Sequence, residues 1–218
     1  YKDKVLETIA EQDDEILVKY LNGEEIEHDT IIEMYKKGVK ESTIYPLLVG
    51  SSVKMLGLFS LLMDLCDLIP SPEESKTLKA VDFDGNPANI DHSADADPNI
   101  YIFKTIYDPF AGKISIGKVI SGTVNPDITL LTSSTRDKIK INNLSRIVGK
   151  QEYPIKTAMP GDIVALNKLK DVRTTDTLTD INNPVVIKSL PVPQPVLSFA
   201  IDPHSRSDED KLNISISK

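Results

Sequence analysis

Four stretches of this 218-residue chain have residue types that could meet a nucleotide. Gly112-Lys-Ile-Ser-Ile-Gly117-Lys118 has the glycine and lysine spacing of a phosphate-binding loop, but Val119 stands where a magnesium-binding Ser or Thr is required. Such a loop also needs a strand before it and a helix after it, so that backbone amides face the phosphates. Here β-branched runs flank it on both sides, and the stretch reads as a lysine-bearing strand. Asp82-Phe-Asp-Gly85 fits an Asp-x-x-Gly switch pattern, yet it stands after the base-contacting candidate instead of before it and is taken as coincidence. Asn167-Lys-Leu-Lys-Asp171 misses the Asn-Lys-x-Asp base-recognition pattern, because Lys170 occupies the aspartate position. The fourth stretch, Gly50-Ser51-Ser52, has small residues that let backbone amides approach a guanine O6. By itself it is a weak signal and reads as an ordinary turn. No catalytic residue emerges: His28, His92 and His204 are dispersed with no Cys or Glu at ligand spacing, which supports neither a metal site nor a nucleophilic triad.

The surrounding composition is that of a globular chain, one large domain or two small ones. The hydrophobic fraction is 40% and the mean hydropathy −0.17, enough for a packed core and against wholesale disorder. No apolar run approaches the roughly 20 residues that span a bilayer, and no signal core opens the chain. The single cysteine, Cys66, excludes an internal disulfide, fits a reducing cytosol, and by its apolar surroundings is expected to be buried. The net charge of −8 is unevenly spread. Residues 1–97 carry 9 Lys/Arg against 21 Asp/Glu, residues 98–180 carry 12 against 8, and residues 181–218 carry 4 against 4. Any nucleic-acid contact is therefore expected in the middle third.

Apolar spacing predicts two short helices or one bent helix over residues 1–22, a stop at Gly23, and a third helix capped by Asp29 or Thr30 and running to Lys37. Ser42 to Gly50 reads as a short buried strand, and Leu56 to Ile69 as a helix ended by Pro70-Ser71-Pro72. Residues 71–97 read as a linker or exposed loop. From Asn99 the period changes to two. Ile100, Ile102, Thr105 and Ile106 precede the Gly112 turn, and Ile114, Ile116, Val119 and Ile120 follow it. Further short strands are expected at 128–131, 138–144, 147–148 and 163–166, with strand-like sequence up to about Leu178, a pattern of sandwich or barrel. Val196 to Ile201 alternates as a strand, and Ser207 to Leu212 starts a helix with acidic residues in its first turn.

Several of these residues together resemble bacterial translation elongation factor G. The resemblance is carried by Phe103, Asp108-Pro109-Phe110, Gly112-Lys113 and Ser121-Gly122, by the stretch AEQDDEILVKYLNGEEI, and by Gly161-Asp162, Leu169-Lys170 and Asp176-Thr177-Leu178. In that comparison Gly50-Ser51-Ser52 corresponds to the guanine-base loop, with Ser52 in place of alanine. Pro160 replaces an alanine, Thr175 a glycine and Val148 a histidine, which leaves room for a divergent paralogue.

The resemblance implies an internal fragment of mixed α and β class. It would comprise the C-terminal part of an α/β GTPase domain (1–70), a loop (71–97), an antiparallel translation-protein β-barrel (98–180) and the start of an α+β ferredoxin-like domain (181–218). It further implies a cytoplasmic, monomeric factor that uses GTP/GDP with magnesium and binds the ribosome through small-subunit ribosomal RNA and ribosomal proteins. Such a factor would act on tRNA and mRNA indirectly, without contacting a membrane. Gly50, Ser51 and Ser52 would supply a partial base site, while Lys113, Lys118, Lys138, Lys140 and Arg146 would face RNA. Lacking the phosphate loop, switch and Asn-Lys-x-Asp motifs, the chain would be inactive alone. A tetracycline-resistance ribosomal protection protein and a nucleotide-independent RNA- or protein-binding adaptor are the alternatives.

Overall fold

The structure is a computed structural model, and it describes residues 2–74, 78–108, 112–149, 151–188, 195–203 and 205–216. Pro109, Phe110 and His204, singled out above, lie outside them. The chain divides into two units, Tyr1–Ser71 and Pro72–Lys218.

The first unit is helical: α1 (Lys2–Ala10), α2 (Asp14–Leu21), α3 (His28–Glu41) and α4 (Leu58–Leu68). The acidic run between α1 and α2 is a break rather than a bend, because the Asp13 carboxylate accepts from the backbone N–H groups of Glu15 and Ile16 and so starts a new helix. Helix α3 begins before Asp29, with no side-chain cap, and runs past Lys37 to end at a left-handed Ser42. Its inner residue Met34 packs with Ile9 and Ile44 in a small core.

The predicted strand from Ser42 to Gly50 does not form. The segment is irregular, with Leu47 91% and Val49 89% exposed, and among the described residues no strand lies beside it. An extended apolar run becomes a strand only when a neighbour takes its backbone hydrogen bonds. Helix α4 corrects a second expectation for a related reason. Only its Leu68 is buried, Phe59 and Leu62 are exposed, and Cys66 is exposed too.

The second unit contains β1 (Ala80–Asp82), β2 (Pro87–Ala88), β3 (Asn99–Asp108), β4 (Gly112–Ser121), β5 (Ile128–Thr132), β6 (Lys138–Ile141), β7 (Ser145–Val148), β8 (Gln151–Pro154), β9 (Ile163–Asn167), β10 (Thr177–Thr179), β11 (Val185–Ile187) and α5 (Arg206–Ile216). Eight strands form a curled antiparallel half-barrel in the order β6-β5-β10-β3-β4-β9-β7-β8. Its inner face buries Ile100, Ile102, Val119, Leu130, Ile141, Leu166 and Leu178. The chain is thus mixed α and β, as expected from its change of period near residue 98.

Residues 71–97 are more than a linker. They carry β1 and β2, which join β11 in a three-stranded sheet ordered β11-β1-β2. This sheet packs Ala80, Ile90, Val185 and Ile187 against Ile120 and Tyr101 on the outer face of β3 and β4. Strands of two or three residues carry too little alternation to be read locally. The expected strand over 196–201 is also unpaired among the described residues, and Val196 and Phe199 are exposed.

Two of the noted departures from the family pattern have a structural reading. Met159-Pro160-Gly161-Asp162 is a turn closed by the Asp162 N–H to Met159 O at 3.0 Å, with Gly161 at φ +95°. That is a type II geometry, in which proline favours the second position. Thr175 sits at φ +80° while its N–H donates to Ile102 O at 2.7 Å. A β-branched residue is strained there, by roughly 1–2 kcal/mol. Thr175→Gly is therefore expected to stabilise the second unit by about 1 kcal/mol and raise its melting temperature by roughly 2–4 °C. Thermal unfolding followed by circular dichroism checks this; an unchanged or lower melting temperature would refute the strain argument.

Candidate functional site

In the first unit the base-loop candidate forms a tight turn in which Ser51 and Leu56 exchange backbone hydrogen bonds at 3.0 and 3.1 Å, with Ser51 Oγ accepting from Lys54 N–H at 3.3 Å. The Ser51 amide is thereby spent inside the turn. Among the described residues no bond occupies the Ser52 and Val53 amides, which remain for a ligand. The turn borders a hollow of about 260 Å³ that Leu48, Leu56, Leu58 and Leu61 also line. An apolar wall beside free amides suits the face and edge of a planar base, and the described part of this loop offers nothing for phosphates.

The look-alike stretches resolve into structure. Gly112 to Lys118 lies wholly within β4, whose backbone pairs with β3 and β9, so its amides serve the sheet. Asp82 closes its own turn: Oδ1 accepts from the N–H groups of Asp84 and Asn86, and Oδ2 from the Asn86 side chain. The Asn86 side-chain amide, followed by backbone donors, holds the Asp82 carboxyl below its ordinary pKa. Asn167 ends β9 and donates to Glu152 Oε1 at 2.5 Å. Among the described residues no cluster of His, Cys, Asp and Glu could hold a metal ion. No described helix is long and apolar enough to cross a membrane.

The five basic candidates do not form one patch. Lys138 and Lys140 lie on β6, at one end of the strand order, and alternate there with Ile139 and Ile141. Lys140 is paired with Asp127 at 2.8 Å. Arg146 lies on β7 near the opposite end and is paired with Asp162 at 3.0 Å. Lys113 and Lys118 share β4, but five residues apart they fall on opposite faces, since side chains alternate along a strand. Lys118 points away from the core.

The register adds a residue that spacing alone missed. Ile102 pairs with Gly117, and Lys104 with Ile116, so Phe103 is an extra residue in a bulge. Ile102 faces the core, whereas Phe103 and Lys104 both face outward. Lys104 thus stands diagonally across from Lys118, on the outer face beyond the small sheet. Only the β3–β4 register could have revealed that pairing.

Comparison with known proteins bears on the fold and the family resemblance. The family described as Elongation factor G domain 2 matches residues 97–181. Elongation factor G of Rhodopseudomonas palustris (strain BisB18) is 38% identical over 220 residues, covering 100% of this chain and 32% of its own length. The chain therefore spans about a third of the length of that relative. A crystal structure from Thermus thermophilus superposes with a TM-score of 0.75 over 98% of this chain and 30% of that one, at 24% identity, which speaks for the fold alone. The half-barrel thus coincides with the matched domain: residues 97–181 are an elongation factor G domain 2, and the chain along its whole length is similar to about a third of elongation factor G.

Proposed function

We propose that this chain is the non-catalytic middle of a GTP-dependent ribosomal translocase. In that reading residues 1–70 end a GTP-binding domain, 98–180 form the second domain and 181–218 begin the third. The observation that carries it is the 38% identity to an elongation factor G along the entire chain. A whole factor of this kind takes GTP or GDP with magnesium, works in the cytoplasm as a monomer, and moves tRNA and mRNA by acting on the ribosome.

Within it, this chain's residues have limited tasks. Ser52 and Val53 would donate to the guanine O6 from the turn that Ser51 and Leu56 close. Bound nucleotide supplies its phosphates and magnesium to motifs other than those found here. The half-barrel is a rigid body whose basic residues lean on ribosomal RNA, a contact governed by phosphate neutralisation.

Two measurements test this reading. Titration calorimetry of the 218-residue chain with GTP and magnesium should show no micromolar binding, because phosphates and metal provide most of the attraction in such sites. Micromolar affinity, or phosphate release, would contradict it. Sedimentation of the whole factor with ribosomes in the presence of a non-hydrolysable GTP analogue should bring the factor down, and a factor that stays in the supernatant would contradict ribosomal action.

A further inference from the structure

The outer face of β3 and β4 is divided in two. At one end Tyr101 and Ile120 lie under the small sheet. Beyond that cover the face is open, and the bulge turns Phe103 outward, 42% exposed, with Lys104 and Lys118 exposed around it and Ile163, opposite Lys118, 53% exposed. Bulges commonly serve to re-aim a side chain. A phenylalanine 42% exposed on a strand that also presents an exposed lysine contributes less to the fold than a buried one would.

The two lysines differ from Lys140 and Arg146, though not from Lys113 and Lys138, in being without an ion pair among the described residues. Among the described residues Lys104 and Lys118 have no carboxylate partner within 4 Å, whereas Lys140 and Arg146 are held by Asp127 and Asp162. A diagonal pair across antiparallel strands stands roughly 7–8 Å apart, near the separation of successive phosphates in an unstacked strand. We propose that Phe103, Lys104 and Lys118 form a contact for single-stranded RNA, an unpaired base stacking on the Phe103 ring while the two ammonium groups meet adjacent phosphates. This rests on the ribosomal reading above and narrows it to one face. Charge decides for RNA over an apolar protein partner. The open face carries two uncompensated cations, in the only third of the chain with excess positive charge.

The test is fluorescence anisotropy of a labelled eight-residue oligouridylate titrated with the 218-residue chain over a salt series. Phe103→Leu keeps an apolar residue at the bulge and should weaken binding about tenfold or more at an unchanged salt slope, as loss of one base stack does. Phe103→Tyr should retain wild-type affinity. Lys104→Ala and Lys118→Ala should each reduce the slope by about 0.7, the value for one phosphate on a single strand, and Lys140→Ala should leave it unchanged. Circular dichroism melting of each variant confirms that the fold is kept. Wild-type affinity in Phe103→Leu, no measurable oligouridylate binding by the unaltered chain, or dependence on Lys138, Lys140 and Arg146 instead would each overturn the proposal. So would a Phe103→Leu factor that loses ribosomes but binds oligouridylate normally, which would mark a protein partner. Ribosome sedimentation of the unaltered factor reports separately on the broader reading, which can stand if this contact fails.

Discussion

Gly122→Ala is expected to destabilise the second unit by about 3–5 kcal/mol and lower its melting temperature by roughly 10 °C. Gly122 follows β4 at φ +66°, and a Cβ there would stand 2.5 Å from Ala96 O and 2.6 Å from both N and Cα of Pro98. Those are backbone atoms, so no side-chain rotation relieves the clash.

Nor can the obstructing segment easily retreat. It is strapped over the end of β4 by Gly122 N–H to Ser93 O at 2.9 Å, Thr123 Oγ1 to Ala94 O at 2.8 Å and Ser121 Oγ to Asp97 O at 2.7 Å. The buried Asn99 amide donates to Ser121 Oγ and Asp97 O, and His92 Nδ1 lies 3.0 Å from Ile120 O. Moving the strap breaks several of these bonds at about 1 kcal/mol each. Gly85→Ala separates the two contributions, because Gly85 has φ +88° but open space around its Cβ position. It should cost only the left-handed penalty of about 1 kcal/mol. Thermal or urea unfolding of both variants gives the comparison, and a Gly122→Ala cost equal to that of Gly85→Ala would show that the strap yields.

A second large effect is expected at the centre of the half-barrel. Leu178→Ala should cost about 3–4 kcal/mol, the usual range for a fully buried leucine that leaves a cavity. Leu178 is 0% exposed, opposite Ile100 on β3 and Thr132 on β5. Its strand is only three residues long, yet it alone joins the β5–β6 hairpin to β3 in the strand order.

The same strand also anchors the small sheet. Thr177 Oγ1 accepts from Ile187 N–H at 3.0 Å, and Thr179 Oγ1 from Val185 N–H at 2.8 Å, both buried. Loosening β10 should therefore release β5, β6 and β11 together. Hydrogen exchange followed by mass spectrometry should show faster exchange in 128–141 and 185–187, with β9 less affected. Uniform acceleration across all eight strands would mean that the unit opens as a whole and that β10 is not a joint.

These two positions mark where local pattern ends and tertiary structure begins. The β3–β4 hairpin was legible from alternating β-branched residues around Gly112, because a strand half-buried on a curved sheet shows its period in its own residues. The turn at Pro160-Gly161, the break at Asp13 and the acidic start of α5 are likewise local, each set by a residue's own backbone preference or hydrogen bond. The elongation factor G resemblance could be read from the sequence for the same reason, since its motifs concentrate in turns and strand ends.

What the sequence could not settle depended on partners far away in the chain. Gln151 to Pro154 is exposed throughout and shows no buried alternation, and becomes β8 only because β7 supplies its ladder. Ala80-Val-Asp82 and Val185-Val-Ile187 pair across about a hundred residues that contain the half-barrel between them. Conversely, Tyr45 to Val49 has the composition of a strand and no neighbour among the described residues to make it one. Lys113, Lys118, Lys138, Lys140 and Arg146 look like one basic set when counted along the chain. Alternation places Lys113 and Lys118 on opposite faces and two ion pairs occupy Lys140 and Arg146, while a one-residue bulge at Phe103 brings Lys104 to the side of Lys118. Residue type determined which side chains could meet a phosphate; register and burial, which arise only when distant strands close their hydrogen bonds, determined which of them share a face.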